Sequence, residues 1–472
     1  MFNSWSILAL ALAYLGALFA VASYYDRGSK RRQGKPRPLV YALSLGVYCT
    51  SWTFYGSVGL SAKTGFDFLP VYIGPMLMFA LGWPVIQHIV DLAKRQNITS
   101  IADFIAARYG KNQALGAAVS AIAVLGIVPY ISLQLKAAAN SLTTLLYIAG
   151  SHPAGVLDAP VLGDLALVVA IAMAVFTMLF GTRHVDTTEH QDGVIAAIAL
   201  ESVVKLVAFL AVGSFVVFGM MGGPEAMLTA VKQSKETTEL LAQGLSGERW
   251  VTVTLLSAMA IILLPRQFHV TVVENTSLSD IKRAAWLFPL YLVGINLFVV
   301  PIALAGLITF GNGVNGDMFV LALPVAAGAP IFTVIAFIGG LSAATAMVIV
   351  ASLALSIMVS NNIAVPLLLR HQGAAGGPRD VGSFVLMFRR VAIVVIIALG
   401  YLFHRMISNS FALADIGLLS FAAIAQFGPA FFGGLIWRRA TARGAMAGVL
   451  AGTAMWGYTL MVPILAGSGW IS

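Results

Sequence analysis

Long apolar runs separated by short polar segments follow one another along almost the whole chain. All but the run at 391–404 reach the length of about 20 residues that a helix needs to cross a bilayer. The runs, here numbered spans 1 to 12, lie at 5–25, 39–61, 68–93, 113–148, 163–182, 192–221, 251–275, 285–310, 326–360, 391–404, 411–436 and 444–466. This pattern predicts an all-α integral membrane protein of about 12 transmembrane helices, with the lipid bilayer as its partner.

Two of these spans are interrupted in the middle. Span 7 contains Leu264-Pro265-Arg266-Gln267-Phe268-His269, and span 2 contains Val47-Tyr48-Cys49-Thr50-Ser51-Trp52. A proline frees backbone carbonyls and an arginine brings charge, and lipid tolerates neither unless protein or a water-filled cavity surrounds them. Paired interruptions at matching places in two halves indicate the solute site of a transporter.

The spacing of the spans indicates an internal repeat. Spans 2–6 recur as spans 7–11 after a nearly constant shift of roughly 215 residues, and five is an odd number, so the second unit is inverted. We therefore predict a single membrane domain over 1–472. It comprises an extra helix and basic loop (5–37), a first inverted repeat (38–222), a second inverted repeat (250–440) and an extra C-terminal helix (441–472).

Composition supports the membrane assignment and removes other classes. Hydrophobic residues make up 59% of the chain and charged residues 10%, with a mean hydropathy of +0.90. The pI near 9.7 does not indicate nucleic acid, because the basic residues lie in short loops, where they set membrane topology. The sequence has no zinc-ligand spacing, Walker loop or nucleophile elbow, so we expect no enzyme activity, metal or cofactor.

The basic residues also predict the orientation. Nothing basic precedes Arg27, whereas a cluster follows span 1, namely Arg27, Lys30, Arg31, Arg32, Lys35 and Arg37. A signal peptide would have its basic region before the apolar core. Because Lys and Arg concentrate in alternate loops, we predict an external N-terminus in the cell's inner (cytoplasmic) membrane.

Several motifs carry a family resemblance. The run from Gly434 to Gly448, which continues to Gly452, resembles the C-terminal motif of the sodium/solute symporter family. Gln426-Phe427-Gly428-Pro429 and Thr99-Ser100-Ile101-Ala102-Asp103-Phe104 are also similar to that family. The resemblance implies a LeuT-type fold: a five-plus-five inverted core, with one helix before it and at least one after it.

Some stretches resemble one branch of the family, in which this domain is the sensory input of a two-component histidine kinase. They are Tyr48–Gly56, Asn97–Gly110, Leu264–His269 and Glu201–Leu206. This implies a C-terminal kinase and a cognate response regulator as partners. With an external N-terminus, twelve spans would leave Ser472 outside as well, so we expect a thirteenth span beyond the chain end.

The resemblance implies a substrate site at the interrupted spans. In span 2 the candidate residues are Cys49, Thr50, Ser51, Trp52 and Tyr55, and in span 11 the candidate is Gln426. An unwound helix would expose carbonyls and hydroxyls to a small-molecule solute. The alternative for span 2 is a packed helix whose hydroxyls bond back to the preceding turn.

Span 7 supplies Pro265, Arg266, Gln267 and His269. A buried arginine needs a partner or a cavity, and it could bind a carboxylate in a bidentate pair. The alternative is a structural ion pair. His269 is either a proton relay or a hydrogen-bonded structural group.

The remaining intramembrane polar residues are candidates for ion or proton coupling. Glu201 and Lys205 lie four residues apart on one helix face and are predicted to pair, and Lys136 adds a further charge. The alternative for these charges is a static network that closes the helix bundle. In the family, a pair of Ser or Thr hydroxyls in span 9 helps to bind sodium. When the alignment with the family is fixed at Ser342, that pair falls on Val350-Ala351, which have no hydroxyl groups, and Ser352 follows directly. Glu189 stands near the position of a family aspartate. Because hard cations need several oxygen ligands, the loss of this hydroxyl pair argues against Na⁺ as the coupling ion. Coupling to H⁺, facilitated movement and binding without transport are the alternatives.

These observations leave two function classes. One is a transporter-like sensor that binds a solute and reports to an attached kinase, and the other is a free-standing secondary active transporter, coupled to sodium or protons. A surplus cation in the core favours an anionic or zwitterionic solute, and we predict a small carboxylate, either an amino acid or a short organic acid.

Overall fold

The computed structural model describes residues 4–27, 36–148, 164–181, 191–242, 247–311, 313–372, 381–407 and 412–469. Within these ranges a helix, or a pair of helices, coincides with each predicted span. In chain order the helices are Ser4–Arg27 (span 1), Pro38–Ser44 and Ser57–Thr64 (span 2), Pro70–Ala80 and Trp83–Arg95 (span 3), Gln113–Ile148 (span 4), Leu165–Gly181 (span 5), Asp192–Ser214 (span 6), Gly247–Leu263 and Pro265–Phe268 (span 7), Leu278–Asn296 and Val299–Phe310 (span 8), Pro330–Val359 and Val365–Gln372 (span 9), Val381–Met406 (span 10), Leu413–Ala425 and Gly428–Ile436 (span 11), and Ala442–Trp456 and Val462–Gly467 (span 12).

The lengths and compositions of these helices suit a bilayer. In the described ranges, eight helices are long and apolar enough to cross a membrane, and two bent pairs raise the number to ten. Span 3 is one such pair, with a bend of 70° between Pro70–Ala80 and Trp83–Arg95. The multi-pass membrane assignment is confirmed, whereas the limits of the two repeats stay a prediction.

Span 10 corrects the sequence analysis. The apolar run at 391–404 is too short to cross, but the helix extends from Val381 to Met406. The sequence limit was drawn after Arg389 and Arg390, yet the Arg389 side chain is buried within the bundle. A charged residue therefore lies inside the helix instead of marking its end.

Four helices between the spans were not predicted. They are Ile101–Arg108, Pro224–Gln233, Lys235–Ala242 and Phe319–Ala326. The first begins where the Ser100 hydroxyl accepts the Asp103 amide, an N-cap of the usual kind. Because these segments are short or polar, they lack the apolar length on which the sequence assignment depended.

Five spans contain a π-helical turn. These turns are Trp52–Gly56, Phe215–Met220, His269–Val273, Ser360–Ala364 and Gly457–Met461. Such turns are rare and are often found at functional sites. Two of them follow the interruptions in spans 2 and 7, so the two predicted break regions share an irregular geometry.

Glycines bring the spans into close contact. A Cβ on Gly74 would lie 2.2 Å from Ser257 Oγ, which joins span 3 to span 7. A Cβ on Gly340 of span 9 would lie 1.8 Å from the hydroxyl oxygen of Tyr55, and Gly339 faces Phe54 in the same way. Small residues of this kind allow helices in a membrane to approach each other closely.

Polar contacts fasten span 2 at both of its ends. At one end the Arg37 guanidinium donates to both Asp192 carboxylate oxygens, at 3.0 and 3.2 Å, and the Arg37 amide donates to Asp280 at 3.1 Å. At the other end Asp317, in the connection between spans 8 and 9, packs against Gly59. The break in span 2 therefore lies between two fixed ends.

Candidate functional site at two broken helices

The first break separates two half-helices of span 2. The 3₁₀ turn Leu45–Tyr48 ends at Cys49, whose backbone is extended (φ −79°, ψ 103°), and helical structure resumes at Ser51. Every residue from Leu45 to Gly56 is buried. Because helix termini leave backbone groups without helical partners, the break exposes buried carbonyls and amides that other groups must satisfy.

Lys205 of span 6 satisfies the carbonyl side of this break. Its Nζ donates to the carbonyl oxygen of Gly46 at 2.7 Å and to that of Cys49 at 2.6 Å, and only 1% of the residue is exposed. A cation at the carboxyl end of a helix is favoured by the helix dipole. The ammonium therefore caps the first half-helix from within the protein.

Side chains of span 4 and span 2 satisfy the amide side. The Ser51 amide donates to Gln134 Oε1 at 3.1 Å, and the Trp52 amide donates to Thr50 Oγ1 at 3.2 Å. The Thr50 hydroxyl in turn shares a hydrogen bond of 3.0 Å with the hydroxyl of Tyr130. Both sides of the first break are thus closed by the protein's own side chains.

The second break, in span 7, differs from the first because it contains a buried charged side chain without hydrogen-bond partners in the described part of the chain. Leu264 is extended (φ −62°, ψ 126°), and Pro265 begins the next half-helix, as its fixed φ favours. Arg266 follows with 0% exposure. Its guanidinium carbon lies 4.4 Å from the centre of the Tyr130 ring. Among the described residues none of its three side-chain nitrogens has a hydrogen-bond partner.

The Tyr130 ring next to this guanidinium belongs to a cluster of aromatic rings from three spans. Tyr130 stacks on Phe421 of span 11, with ring centres 5.9 Å apart and planes at 10°. Phe421 also contacts Tyr48 of span 2 at 6.0 Å. A cation over an aromatic face gains about 0.5–2 kcal/mol, so the rings position Arg266 but do not supply the acceptors that its donors require.

Other buried polar atoms near the breaks also have no hydrogen-bond partner within the described part of the chain. They are Ser51 Oγ, Trp52 Nε1, Gln267 Oε1, Gln267 Nε2 and Ser420 Oγ. Buried polar atoms in folded proteins are paired in the large majority of cases. Spans 2, 7 and 11 each carry at least one such unpaired group, and a bound polar ligand would supply hydrogen-bond partners for them.

Two aromatic residues of span 2 have packing partners. The Ser141 hydroxyl donates to the Tyr55 hydroxyl at 3.0 Å, and Gly340 provides the space for the Tyr55 ring. Trp52 packs against Tyr72 at 5.8 Å between ring centres and against Gly417. These contacts hold the second half-helix against spans 3, 4, 9 and 11.

His269 is held by an acidic residue near the end of span 7. Its Nε2 lies 3.3 Å from Glu274 Oε1, and Glu274 Oε2 accepts the Gln191 amide at 3.1 Å. His269 is therefore directed along its own span towards Glu274. Its Nδ1 has no hydrogen-bond partner within the described part of the chain.

The predicted pairing of Glu201 with Lys205 is corrected by the structure. The Lys205 ammonium is directed to the two carbonyls of span 2, and the two side chains form no direct ion pair. The Glu201 carboxylate instead accepts a hydrogen bond from Thr345, and its backbone carbonyl accepts one from Ser342 at 2.9 Å. The carbonyls exposed by the break compete for the ammonium, which sequence spacing alone does not reveal.

The other predicted coupling residues are dispersed. Lys136 interacts electrostatically with Asp317, in the connection between spans 8 and 9. Ser352 is buried in span 9, and its hydroxyl has no described partner. Glu189 lies outside the described residues.

Gln426, predicted to bind substrate, is placed elsewhere. Its Nε2 donates to the Ala422 carbonyl of its own helix at 3.0 Å, and its Oε1 faces Gly452 of span 12. The motif that contains Gln426 coincides with a helix break in span 11, where Leu413–Ala425 gives way to Gly428–Ile436. At that break the Gln426 side chain contacts the last span.

Three residues of the site were not predicted from the sequence, namely Tyr130, Phe421 and Thr345. Tyr130 follows Pro129, a proline inside the long helix of span 4, and this is the one signal that could have drawn attention to it. The others are single polar or aromatic residues in apolar helices. Their contacts are with residues far away in the chain, so no local pattern marks them.

The architecture and the two broken helices define an all-α membrane protein of the LeuT type, built as a five-plus-five inverted repeat, and the fold prediction is confirmed. The comparison that shows the fold is with a solved Na⁺-coupled sialic acid symporter. The TM-score is 0.66 at 15% sequence identity, over 96% of this chain and 98% of that one.

Two proteins are similar in sequence to this chain over most of its length. "Uncharacterized symporter YhjB" of Bacillus subtilis (strain 168) is 23% identical over 434 residues, 91% of this chain and 82% of that protein. "Uncharacterized symporter YodF" of the same organism is 23% identical over 430 residues, 88% of this chain and 78% of that protein. No protein-family model matches the chain. The similarity to symporters agrees with the family resemblance of the motifs.

Proposed function

We propose that this protein is a secondary active solute transporter that binds a small carboxylate, an amino acid or a short organic acid, between the broken spans 2 and 7. Arg266 would receive the carboxylate. Ser51, Gln267 and Ser420 would bond to the rest of the solute. The solute would cross the inner membrane with the basic loops on the cytoplasmic side.

The observation that carries this proposal is the unpaired guanidinium of Arg266. An arginine at the centre of a membrane costs at least about 2.5 kcal/mol, and this one is fully buried without a hydrogen-bond acceptor among the described residues. A carboxylate offers two acceptors in the plane of the guanidinium and cancels its charge. A neutral solute would leave the charge uncompensated.

The charges around the breaks point in the same direction. Lys205 and Arg266 bring two positive charges, and Glu201 brings one negative charge, all within the buried core. Among the described residues no carboxylate accepts a hydrogen bond from Arg266, so an anionic group would balance its charge. The similar solved symporter carries sialic acid, a solute that is itself an acid.

The experiment is a ligand screen with a single variant. Purified protein in nanodiscs is tested by thermal shift against amino acids, short organic acids, neutral sugars and polyols, and hits are then measured in proteoliposome uptake. Arg266→Lys should weaken binding of a hit by roughly 1.5–3 kcal/mol, or about 10- to 150-fold, because lysine offers no planar pair of donors.

Arg389→Lys serves as the matched control. Arg389 is also a buried arginine in a membrane span, but it lies in span 10, which contains neither break. The control should leave solute affinity unchanged. Hits confined to neutral sugars, or a folded Arg266→Lys protein with wild-type affinity, would show that Arg266 is a structural cation.

A second proposed function is sensory input to a histidine kinase. It is supported by the resemblance of four stretches, among them Glu201–Leu206, to the sensory branch of the family. In cells that contain the full-length protein and its response regulator, added solute should activate a reporter gene, and Arg266→Lys should abolish the response. If the solute does not change reporter expression, the sensory function is refuted and transport remains as the proposed function.

A further inference from the structure

The carbonyl side of the first break has the features of a cation site. The oxygens of Gly46 and Cys49, three residues apart, both approach one point, which Lys205 Nζ occupies at 2.7 and 2.6 Å. They lie at the carboxyl end of a half-helix, where the dipole is negative. Without the ammonium, the Cys49 carbonyl would lose the Lys205 donor, and the Gly46 carbonyl would keep only the Cys49 amide, at 3.0 Å.

A buried carboxylate lies on the same helix as this ammonium. Glu201 lies one helical turn before Lys205 and is fully buried. One of its carboxylate oxygens accepts from Thr345, while the other has no described partner. Carbonyl and carboxylate oxygens are the ligands that hard cations use in proteins.

We propose that the Lys205 ammonium is a tethered cation, filling at the carbonyls of Gly46 and Cys49 a position that would otherwise bind a small monovalent cation. The site is then permanently occupied in the wild-type protein. Holding span 2 in its broken form does not require dissolved sodium at this point. Any sodium dependence of solute binding would have to come from a different place in the protein.

The inference concerns the coupling ion of the proposed transporter, but it is tested without solute. The melting temperature of purified Lys205→Ala and Lys205→Met is measured in choline, sodium and ammonium chloride at equal ionic strength. Alanine removes the charge and leaves space. Methionine removes the charge and fills the space, and therefore serves as the matched variant.

The expected result is a difference between the two variants. Wild-type protein should melt at the same temperature in all three salts. Lys205→Ala should melt lower in choline and regain stability in ammonium or sodium as the cation concentration rises, since a cation that binds only the folded state stabilises it by mass action. Lys205→Met should melt lower in every salt, because no cation can enter.

Two results would overturn the inference. One is a Lys205→Ala protein that behaves alike in choline, sodium and ammonium, whether stable or unstable. The other is equal stabilisation of Lys205→Met by the small cations, which would show a general salt effect. Neither depends on solute, so a failed ligand screen and a failed cation test remain distinguishable. A failed screen counts against the proposed function alone.

Discussion

A change at Asp317 should make the protein more stable at neutral pH. The residue lies in the short 3₁₀ turn Gly316–Met318 between spans 8 and 9, and 3% of it is exposed. One carboxylate oxygen accepts the Leu413 amide at 3.2 Å, and the other faces Gly59. Asp317→Asn keeps an oxygen for the Leu413 amide and removes the buried charge.

The size of the effect follows from the pKa of Asp317. Burial raises this pKa from 3.8 to about 6, against the lowering effects of the Leu413 hydrogen bond, Lys63 and Lys136. At about 1.4 kcal/mol per pKa unit, this corresponds to about 3 kcal/mol. Because the folded-state pKa is the higher one, stability is fully present below about pH 4 and is lost as the pH rises through about 6.

The assay is thermal or denaturant unfolding of the purified protein between pH 4 and 8. Asp317→Asn should nearly match the wild type near pH 4, exceed it by about 1.5 kcal/mol at pH 5 and by about 3 kcal/mol at pH 7.5. Asp67→Asn is the control, since Asp67 accepts a hydrogen bond from the Trp250 indole at 2.8 Å and should give no stabilisation. The prediction is refuted if the difference in unfolding free energy between Asp317→Asn and the wild type does not change with pH, or if Asp317→Asn is the less stable protein at pH 7.5.

Two further predictions concern packing and orientation. Gly340→Ala places a Cβ 1.8 Å from the Tyr55 hydroxyl oxygen and should destabilise the protein by about 1–3 kcal/mol. Adding Tyr55→Leu should recover part of that loss in the melting temperature, and no recovery would locate the strain elsewhere. For orientation, single cysteines introduced into a Cys49→Ser background should be labelled from outside intact cells at position 3 but not at position 30. The reverse pattern would invert the proposed topology.

Most of the fold could be predicted because apolar length is a strong signal. Span 4 was predicted at 113–148, and its helix is Gln113–Ile148. The breaks were predictable because Pro265 and the polar residues after Val47 stand out in apolar surroundings. The helix Pro224–Gln233 was missed because it is amphipathic, with Met227 and Val231 buried on one face and polar residues on the other.

The site was predictable only in part. Arg266 was predictable because a charge in an apolar run is conspicuous. It could not predict which group Lys205 would contact, because the competing carbonyls at Gly46 and Cys49 precede it by 159 and 156 residues. Gln426 was named from a motif, and motif resemblance does not determine the direction of a side chain.

The π turns determine where this chain can change in length. A π turn contains one residue more than the α turn it replaces, so a one-residue deletion within Trp52–Gly56 or His269–Val273 would restore a regular helix and leave both flanks facing as before. The same deletion within Gln113–Ile148 would rotate every later side chain of that helix by about 100°. Insertions and deletions, normally confined to loops, would thus be permitted beside the two breaks. The proposed solute site could be reshaped one residue at a time without rebuilding the bundle.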